Sequence, residues 1–311
     1  MTSRELVKAA IAHQETPRVP FHIALCRQVR DALAARGIGW EEFVDGDVVS
    51  IAPPWWGWQL QPDWYRPDLP TTPATVCGGG SYEGFFDALK ASRDKCDKYH
   101  LAIVYGSHFE KAHFARGIEN FLADMAGEPA FAKKLLNTII EKNMVMLDNI
   151  VACKEIDGIL LGSDWGTQID LLISPAVWDD MIRPGEQKEY DLIHAYGKDV
   201  WIHSCGKIDK IIPRLVEMGV DVLNPVQPEC MDIAALKRDH GHKLTFWGGI
   251  STQTVLPFGT PDEVRVEARR VRDLLSAGGG YIFSPSQGIQ EDVPMANVEA
   301  LLEVAREQKT L

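Results

Sequence analysis

Short, continuously apolar runs alternate along this chain with longer segments in which apolar residues return every three or four positions. Apolar runs of about four to eight residues are typical of parallel strands buried on both faces, and the longer spacing is typical of amphipathic helices. The pattern predicts eight strands, at residues 20–25, 47–52, 101–105, 158–162, 200–203, 220–225, 244–247 and 281–283. It predicts helices at residues 4–13, 28–35, 109–126, 129–153, 174–196, 208–218, 231–238, 261–277 and 293–308.

This alternation predicts an α/β fold. A (β/α)8 TIM barrel closes eight such units most economically, and a doubly wound open sheet is the alternative. After the second predicted strand, residues 58–93 are rich in proline, glycine and aromatic residues and have weak periodicity. We therefore expect an insertion after the second strand, with a small hairpin, and loops of that length are usually functional.

Composition and charge narrow the class of protein. The 311 residues are 45% hydrophobic and 24% charged, which is typical of a globular protein, and we expect one barrel domain over residues 1–311. The formal net charge of −12 makes nucleic acid and anionic membranes poor partners. There is no apolar run of membrane-spanning length, and the six scattered cysteines follow no disulfide spacing. The expected location is the cytoplasm, with reduced thiols.

Polar and metal-capable side chains follow the predicted strands. Because barrel chemistry lies where strands end and βα loops begin, these side chains should gather on one face. In strand order they are Cys26 and Arg27; Trp55 and Trp56; Ser107, His108, Lys111 and His113; Asp164 and Gln168; His203 and Cys205; Gln227 and Cys230; Trp247, Gly248 and Gly249; and Ser284, Ser286, Gln287 and Glu291. His108 and His113 fit capping, packing or solvent-facing roles better than a site role.

The fifth predicted strand ends in His203 and Cys205, two residues apart. Since side chains alternate along a strand, both face the same way if the extended geometry persists. Imidazole and thiolate on one face could form half of a metal site, whereas the simpler interpretation is a buried thiol beside a hydrogen-bonded histidine.

Several motifs in order resemble the uroporphyrinogen decarboxylase superfamily over nearly the whole chain. They are SDWGTQ at 163–168, HSCG at 203–206, LNPVQP at 223–228, FWGGI at 246–250 and SPSQGI at 284–289. The resemblance implies a (β/α)8 barrel, in agreement with the strand count. It is closer to the branch of corrinoid-dependent methyltransferases than to true decarboxylases, since residues 26–31 keep little of the decarboxylases' arginine-rich stretch and Gln287 stands where they carry histidine.

The methyltransferase branch implies a zinc ion bound through His-x-Cys and a later cysteine, and His203 and Cys205 match the first two ligands. Such a metal holds an acceptor thiol as the thiolate. A free thiol, with a pKa of about 8.5, is mostly protonated at neutral pH. Gln287 occupies the third position, and an amide oxygen is a poor zinc ligand. We predict Cys230 as the third ligand, with Asp164, Gln287 or water as the alternatives.

The remaining site predictions follow from position at the barrel mouth. Asp164, Gln168 and Gln287 are the candidate catalytic residues, because they follow strand ends. The candidate substrate-binding residues are Arg27, Trp55 and Trp247, although aromatic side chains in the insertion can equally form local core.

These features predict a zinc-dependent methyltransferase that moves a methyl group between a corrinoid (cobalamin) and a small acceptor such as a thiol or tetrahydrofolate. The chain has no D-x-H-x-x-G corrinoid motif, so the corrinoid would be carried by a partner protein. The alternatives are a decarboxylase of a small or tetrapyrrole carboxylic acid, and a non-catalytic barrel that binds a tetrapyrrole or corrinoid.

Overall fold

The computed structural model describes residues 1–60, 67–70, 74–77 and 80–307. Its strands are β1 Val48–Ile51, β2 Trp55–Gly57, β3 Thr75–Cys77, β4 Tyr99–Val104, β5 Gly158–Gly162, β6 Asp199–His203, β7 Val222–Val226, β8 Thr245–Ile250 and β9 Tyr281–Pro285. Its α-helices are α1 Ser3–Ile11, α2 Arg27–Ala35, α3 Trp40–Val44, α4 Tyr82–Lys95, α5 His108–Arg116, α6 Ile118–Gly127, α7 Pro129–Val151, α8 Pro175–Val177, α9 Arg183–Ala195, α10 Ile212–Glu217, α11 Ile233–His240, α12 Val255–Phe258, α13 Pro261–Ser276 and α14 Met295–Arg306.

Within these residues seven parallel strands form one sheet in the order β1-β4-β5-β6-β7-β8-β9. Every residue of β7, β8 and β9 is buried, as expected for strands covered on both faces. The order follows the chain, and helices connect successive strands, so the sheet curls into the predicted (β/α)8 barrel.

The first predicted strand, residues 20–25, does not form a regular strand. It makes isolated parallel bridges from Phe21 to Phe283 and from Leu25 to Ile289. On its other side, the carbonyl of Phe21 accepts a hydrogen bond from the amide of Asp47 (2.8 Å). The segment therefore lies between β9 and β1 and occupies the eighth position of the barrel.

The insertion after β1 begins with the predicted hairpin. β2 and β3 pair antiparallel, with Trp55 opposite Cys77, and α4 follows, which the weak periodicity of 58–93 did not reveal. One predicted helix is interrupted, and another is continuous with a local irregularity. The helix predicted at 109–126 divides into α5 and α6 at Gly117, whose φ of 83° ends the first of them. The helix predicted at 174–196 consists of α8, a π-helical turn Trp178–Ile182 and α9.

Side chains from the seven sheet strands, together with one from α1, fill the barrel interior. This inner cluster consists of Val7, Val48, Tyr99, Leu101, Leu160, Trp201, Val222, Trp247 and Ile282. The much larger apolar cluster lies between the sheet and its helices. The filled interior closes the barrel at its amino end, so an open cavity is left at the carboxyl ends of the strands. No helix among the described residues combines the length and apolarity needed to cross a membrane.

Candidate metal centre

A cavity of about 420 Å³ opens at the carboxyl ends of the strands. This volume suits a small molecule. Leu160 and Trp247 of the inner cluster form part of its wall, and the polar side chains stand around them. These polar residues are His22, Tyr105, Glu110, Asp164, His203, Cys205, Asn224, Ser284 and Gln287.

Asp164, His203 and Cys205 form a compact cluster in this cavity. Each offers a ligand atom, and these atoms all lie within 4.8 Å of one another. His203 Nε2 is 3.3 Å from Cys205 Sγ and 3.6 Å from Asp164 Oδ1. Nitrogen, sulfur and carboxylate oxygen are the donors that Zn²⁺ uses in proteins, so the residues present fit a zinc ion.

Asn224 fixes the orientation and the tautomer of His203. The Asn224 side-chain NH₂ donates to the carbonyl of Trp247 (3.1 Å), which leaves its Oδ1 as acceptor. His203 Nδ1 lies 2.6 Å from that oxygen and must carry the proton. The lone pair is then on Nε2, the nitrogen that faces Cys205. A metal-binding histidine usually has such an outer hydrogen bond.

The surroundings of Cys205 disfavour a thiolate in the absence of a cation. Burial, and then the Asp164 carboxylate, raises the pKa of the Cys205 thiol to about 12. The Gln287 side-chain NH₂ acts in the opposite direction, since it donates to Cys205 Sγ at 2.8 Å. A divalent ion among these groups would favour ionisation of the thiol.

Two loops hold the cluster in place. The amide of Trp165 donates to Ser204 Oγ (3.1 Å), and the amide of Lys207 donates to the carbonyl of Thr167 (2.7 Å). A Cβ on Gly166 would lie 2.6 Å from the carbonyl oxygen of Cys205, so the two backbones are in contact. The motifs SDWGTQ and HSCG are therefore two halves of one structural unit.

Cys230, the predicted third ligand, lies outside the cluster, and Asp164 stands with His203 and Cys205 instead. The Cys230 thiol donates to Gln168 Oε1 at 3.7 Å. A turn after β7, in which the amide of Cys230 bonds to the carbonyl of Gln227, carries it away from the cavity. Gln168 is exposed and also lies apart from the cluster, whereas Asp164 and Gln287 line the cavity as predicted.

Of the three predicted substrate-binding residues, Trp247 lines the cavity and the other two do not. Trp247 is buried in the cavity wall, with its ring edge-on to His22 at 5.1 Å and to Trp201 at 5.2 Å. Trp55 lies on the hairpin, with its ring 6.3 Å from that of Tyr105, which lines the cavity. Arg27 is absent from the cavity lining, and its side chain is 85% exposed and pairs with Asp31.

Glu110 is a cavity residue that the sequence pattern did not single out. Its Oε2 is buried with no hydrogen-bond partner among the described residues. Burial, and then the charge of Asp164, raises the pKa of the Glu110 carboxyl to about 7. Its position in the first turn of α5, directly after β4, is the sequence signal that points to it.

The chain belongs to the uroporphyrinogen decarboxylase (URO-D) family, whose model matches residues 72–308. A uroporphyrinogen decarboxylase from Chlorobium phaeobacteroides is 33% identical over 81 residues, which are 25% of this chain and 22% of that protein. One from Azoarcus sp. strain BH72 is 26% identical over 132 residues, 42% of this chain and 33% of that protein. The chain thus spans only a third or less of the length of these curated relatives. A methyltransferase from Methanosarcina mazei has the same fold, with a TM-score of 0.72, 17% identity and 98% of both chains covered.

Proposed function

We propose that this protein is a zinc-dependent methyltransferase that transfers a methyl group from a corrinoid on a partner protein to a small acceptor, such as a thiol. The observation that carries the proposal is the cluster of Asp164, His203 and Cys205 in a small cavity at the barrel mouth. The methyltransferase from Methanosarcina mazei supports the proposal through its shared fold only.

Each residue of the site has a role in this scheme. Asp164, His203 and Cys205 would hold the zinc ion, which when bound keeps an acceptor thiol deprotonated at neutral pH. Asn224 keeps the proton of His203 on Nδ1, and Gln287 donates to Cys205 Sγ. These contacts fix the ligands before the substrate arrives, which is what a precise site requires.

Glu110 is suited to take the proton that the acceptor thiol loses. Its Oε2 is buried without a partner among the described residues, and burial raises the pKa of the carboxyl, so Oε2 can accept and hold that proton. Trp247 supplies an apolar wall that limits water around the reacting sulfur. Methyl transfer then forms the carbon–sulfur bond as the bond between the methyl group and its donor breaks.

The first experiment measures zinc in protein purified from zinc-supplemented cells, for the wild type and for Cys205→Ser. We expect about one equivalent fewer in the variant, because the thiolate is the strongest ligand of the three. Cys96→Ser is the matched control, since its thiol bonds to the carbonyl of Ser92 and lies outside the cluster. Equal zinc content in Cys205→Ser and the control would contradict the proposed site.

The second experiment follows the corrinoid spectrum when methylcobalamin is mixed with the protein and with candidate thiols or tetrahydrofolate. Demethylation that needs both the acceptor and Cys205 supports the proposal. Tight corrinoid binding without turnover would indicate a non-catalytic carrier instead.

Decarboxylation is the second candidate, because the family and both curated relatives carry that name. The cavity argues against a polycarboxylate substrate. Its described lining contains Glu110 and Asp164 but neither lysine nor arginine, and Arg27 faces solvent. Release of carbon dioxide from a carboxylic acid, without any corrinoid, would favour this candidate over methyl transfer.

A further inference from the structure

A second cluster of metal-capable side chains lies behind the candidate metal centre. It consists of His108 at the start of α5, and Glu186 and Glu189 on α9, all three fully buried. Their candidate ligand atoms lie within 4.8 Å of one another, and His108 Nδ1 is 3.1 Å from Glu186 Oε1. The i,i+3 spacing on α9 places both carboxylates on the same face of the helix. None of the three lines the cavity described above.

Polar atoms in this cluster lack partners. His108 Nε2 and Glu189 Oε2 are buried without a hydrogen bond among the described residues, and His108 Nδ1 has its contact with Glu186 Oε1 at 3.1 Å. A Cβ on Gly185 would lie 2.9 Å from His108 Nε2, so that nitrogen packs against the helix backbone and Nδ1 is the one that faces Glu186. Buried polar atoms without partners are rare because each costs about 1–3 kcal/mol, so an unseen ligand is a physical explanation.

The other oxygens of the two carboxylates are held firmly. Glu186 Oε2 accepts from the hydroxyl of Tyr190 (2.8 Å), and Glu189 Oε1 accepts from the side-chain NH₂ of Asn143 (2.8 Å). Glu186 Oε1, which faces His108, also accepts from Ser163 Oγ at 3.3 Å. Outer hydrogen bonds that orient carboxylates in this way are usual around protein metal sites.

The charges of the cluster also favour a cation. Burial, and then the charge of Glu186, raises the pKa of Glu189 to about 7, so two ionised carboxylates are costly here without compensation. Lys111 Nζ donates to Asn143 Oδ1 (2.7 Å), and the charges of His108 and Lys111 lower the pKa of Glu189 without overcoming the effect of burial. A divalent ion would let both carboxylates ionise.

We propose that His108, Glu186 and Glu189 bind a divalent first-row transition-metal ion, such as Zn²⁺, at a site separate from the candidate metal centre. One nitrogen and two carboxylate oxygens suit such an ion, and the absence of sulfur among the three ligands sets the site apart. Ser163, next to Asp164, donates to Glu186, so the bound ion would connect α9 to the loop that carries Asp164. The site is enclosed, so the ion would enter as the chain folds and exchange slowly afterwards.

The experiment compares the metal content of the wild type, Cys205→Ser, Glu189→Gln and the double variant, all purified from zinc-supplemented cells. We expect about two equivalents in the wild type, about one in each single variant and close to none in the double variant. Glu141→Gln, an exposed substitution on α7, is the control. The same zinc content in Glu189→Gln and the control would overturn the proposal. This comparison separates the two sites, because loss of zinc in only one single variant identifies which site exists.

Cobalt provides a second readout that does not depend on how well Glu189→Gln folds. Cys205→Ser is produced in cells supplied with Co²⁺ and its absorption is recorded. The buried site predicts visible cobalt bands without the thiolate-to-cobalt absorption in the near ultraviolet, since its ligands are nitrogen and oxygen. Cys205→Ser that folds but retains neither cobalt nor zinc would overturn the proposal and leave a network of shared protons as the account of the cluster.

Discussion

Asn224 and Gln287 act on the two candidate ligands that the HSCG motif supplies. Asn224 fixes the proton on His203 Nδ1, which directs the lone pair of Nε2 towards Cys205. Gln287 donates to Cys205 Sγ, so it stabilises a thiolate without replacing a ligand. Asp164 supplies the third ligand atom of the cluster. The amide at position 287 therefore fits a centre with one thiolate, one imidazole and one carboxylate.

The substitution Gln287→Cys tests whether position 287 lies close enough to the proposed zinc ion to supply a ligand. A second thiolate beside Cys205 should raise the zinc affinity by at least about tenfold, because thiolates bind zinc more strongly than an amide does. The measurement is competition for zinc against a chelator of known affinity.

Gln287→Ser is the matched control, since it removes the amide without adding a ligand that binds zinc well. Its zinc affinity should fall slightly, through loss of the hydrogen bond to Cys205. Equal affinities in the two variants would show that position 287 does not reach the metal.

Two loops form the element on which the centre depends. A Cβ on Gly206 would lie 2.6 Å from the carbonyl carbon of Gly166, and Gly206 has a φ of 83°, so glycine is needed there for both reasons. The loop after β5 and the loop after β6 touch backbone to backbone, and this contact brings Asp164 to the amide of Cys205 (2.8 Å). Larger residues in either loop would separate the ligands.

Gly166→Ala should therefore damage the site and the fold together. Its Cβ would meet the backbone of Cys205, Gly206 and Lys207 at 2.6–2.9 Å, which forces the loops apart. We expect a loss of roughly 2 kcal/mol in the free energy of unfolding, accompanied by lower zinc content. Denaturant unfolding and elemental analysis measure the two effects.

Gly127→Ala is the control for this substitution. A Cβ there meets nothing within 4 Å, and Gly127 is the last residue of α6. Alanine in place of a helical glycine should leave stability unchanged or raise it by up to about 1 kcal/mol. If Gly166→Ala behaves in the same way, the loop contact does not constrain the site.

The whole barrel is fastened at its amino end by buried charges. Asp157, just before β5, bonds to Arg4 and to Arg93 at 2.7 Å each and accepts from the amide of His100 (2.9 Å). Its side chain is only 1% exposed, while both arginines have some contact with solvent. These contacts join α1, α4 and β4 to the start of β5. They stabilise the amino end of the barrel, opposite the end that carries the candidate site.

Asp157→Asn should lower the free energy of unfolding by about 3 kcal/mol, because it leaves two arginines without their carboxylate. Asp180→Asn is the control, and its loss should stay below about 1 kcal/mol because the pair with Lys133 is exposed. Denaturant unfolding at neutral pH measures both. Equal losses in the two variants would contradict a special role for Asp157.

The pKa of Asp157 predicts how the stability difference between the wild type and Asp157→Asn changes with pH. Burial alone would raise the pKa of Asp157, but the His100 amide, Arg93 and Arg4 together lower it below its ordinary value of 3.8. A lowered pKa stabilises the folded state above the unfolded value, and this contribution disappears as pH falls through the folded pKa. The stability difference between wild type and Asp157→Asn should therefore be constant near neutral pH and shrink below about pH 4.

The pattern of apolar and polar residues was enough to predict the barrel and two residues of the candidate site, His203 and Cys205. Parallel strands buried on both faces require continuous apolar runs, so seven of the eight predicted strands could be located from the chain alone. His203 and Cys205 could be paired from their spacing at the end of a strand, although β6 itself ends at His203. Residues 20–25 were recognised as the remaining barrel position, although their backbone makes only isolated bridges.

The residues that complete the candidate site are brought together by contacts between distant parts of the chain. The contact between Gly166 and Gly206 brings Asp164 beside Cys205, whereas a turn after β7 carries Cys230 away, and no local pattern encodes either outcome. Glu110 has a raised pKa because neighbouring elements bury it, and His108 meets Glu186 because α5 packs near α9. Local spacing determines which way a side chain points. Burial, and the distance between residues far apart in the sequence, are set only when the whole barrel has closed.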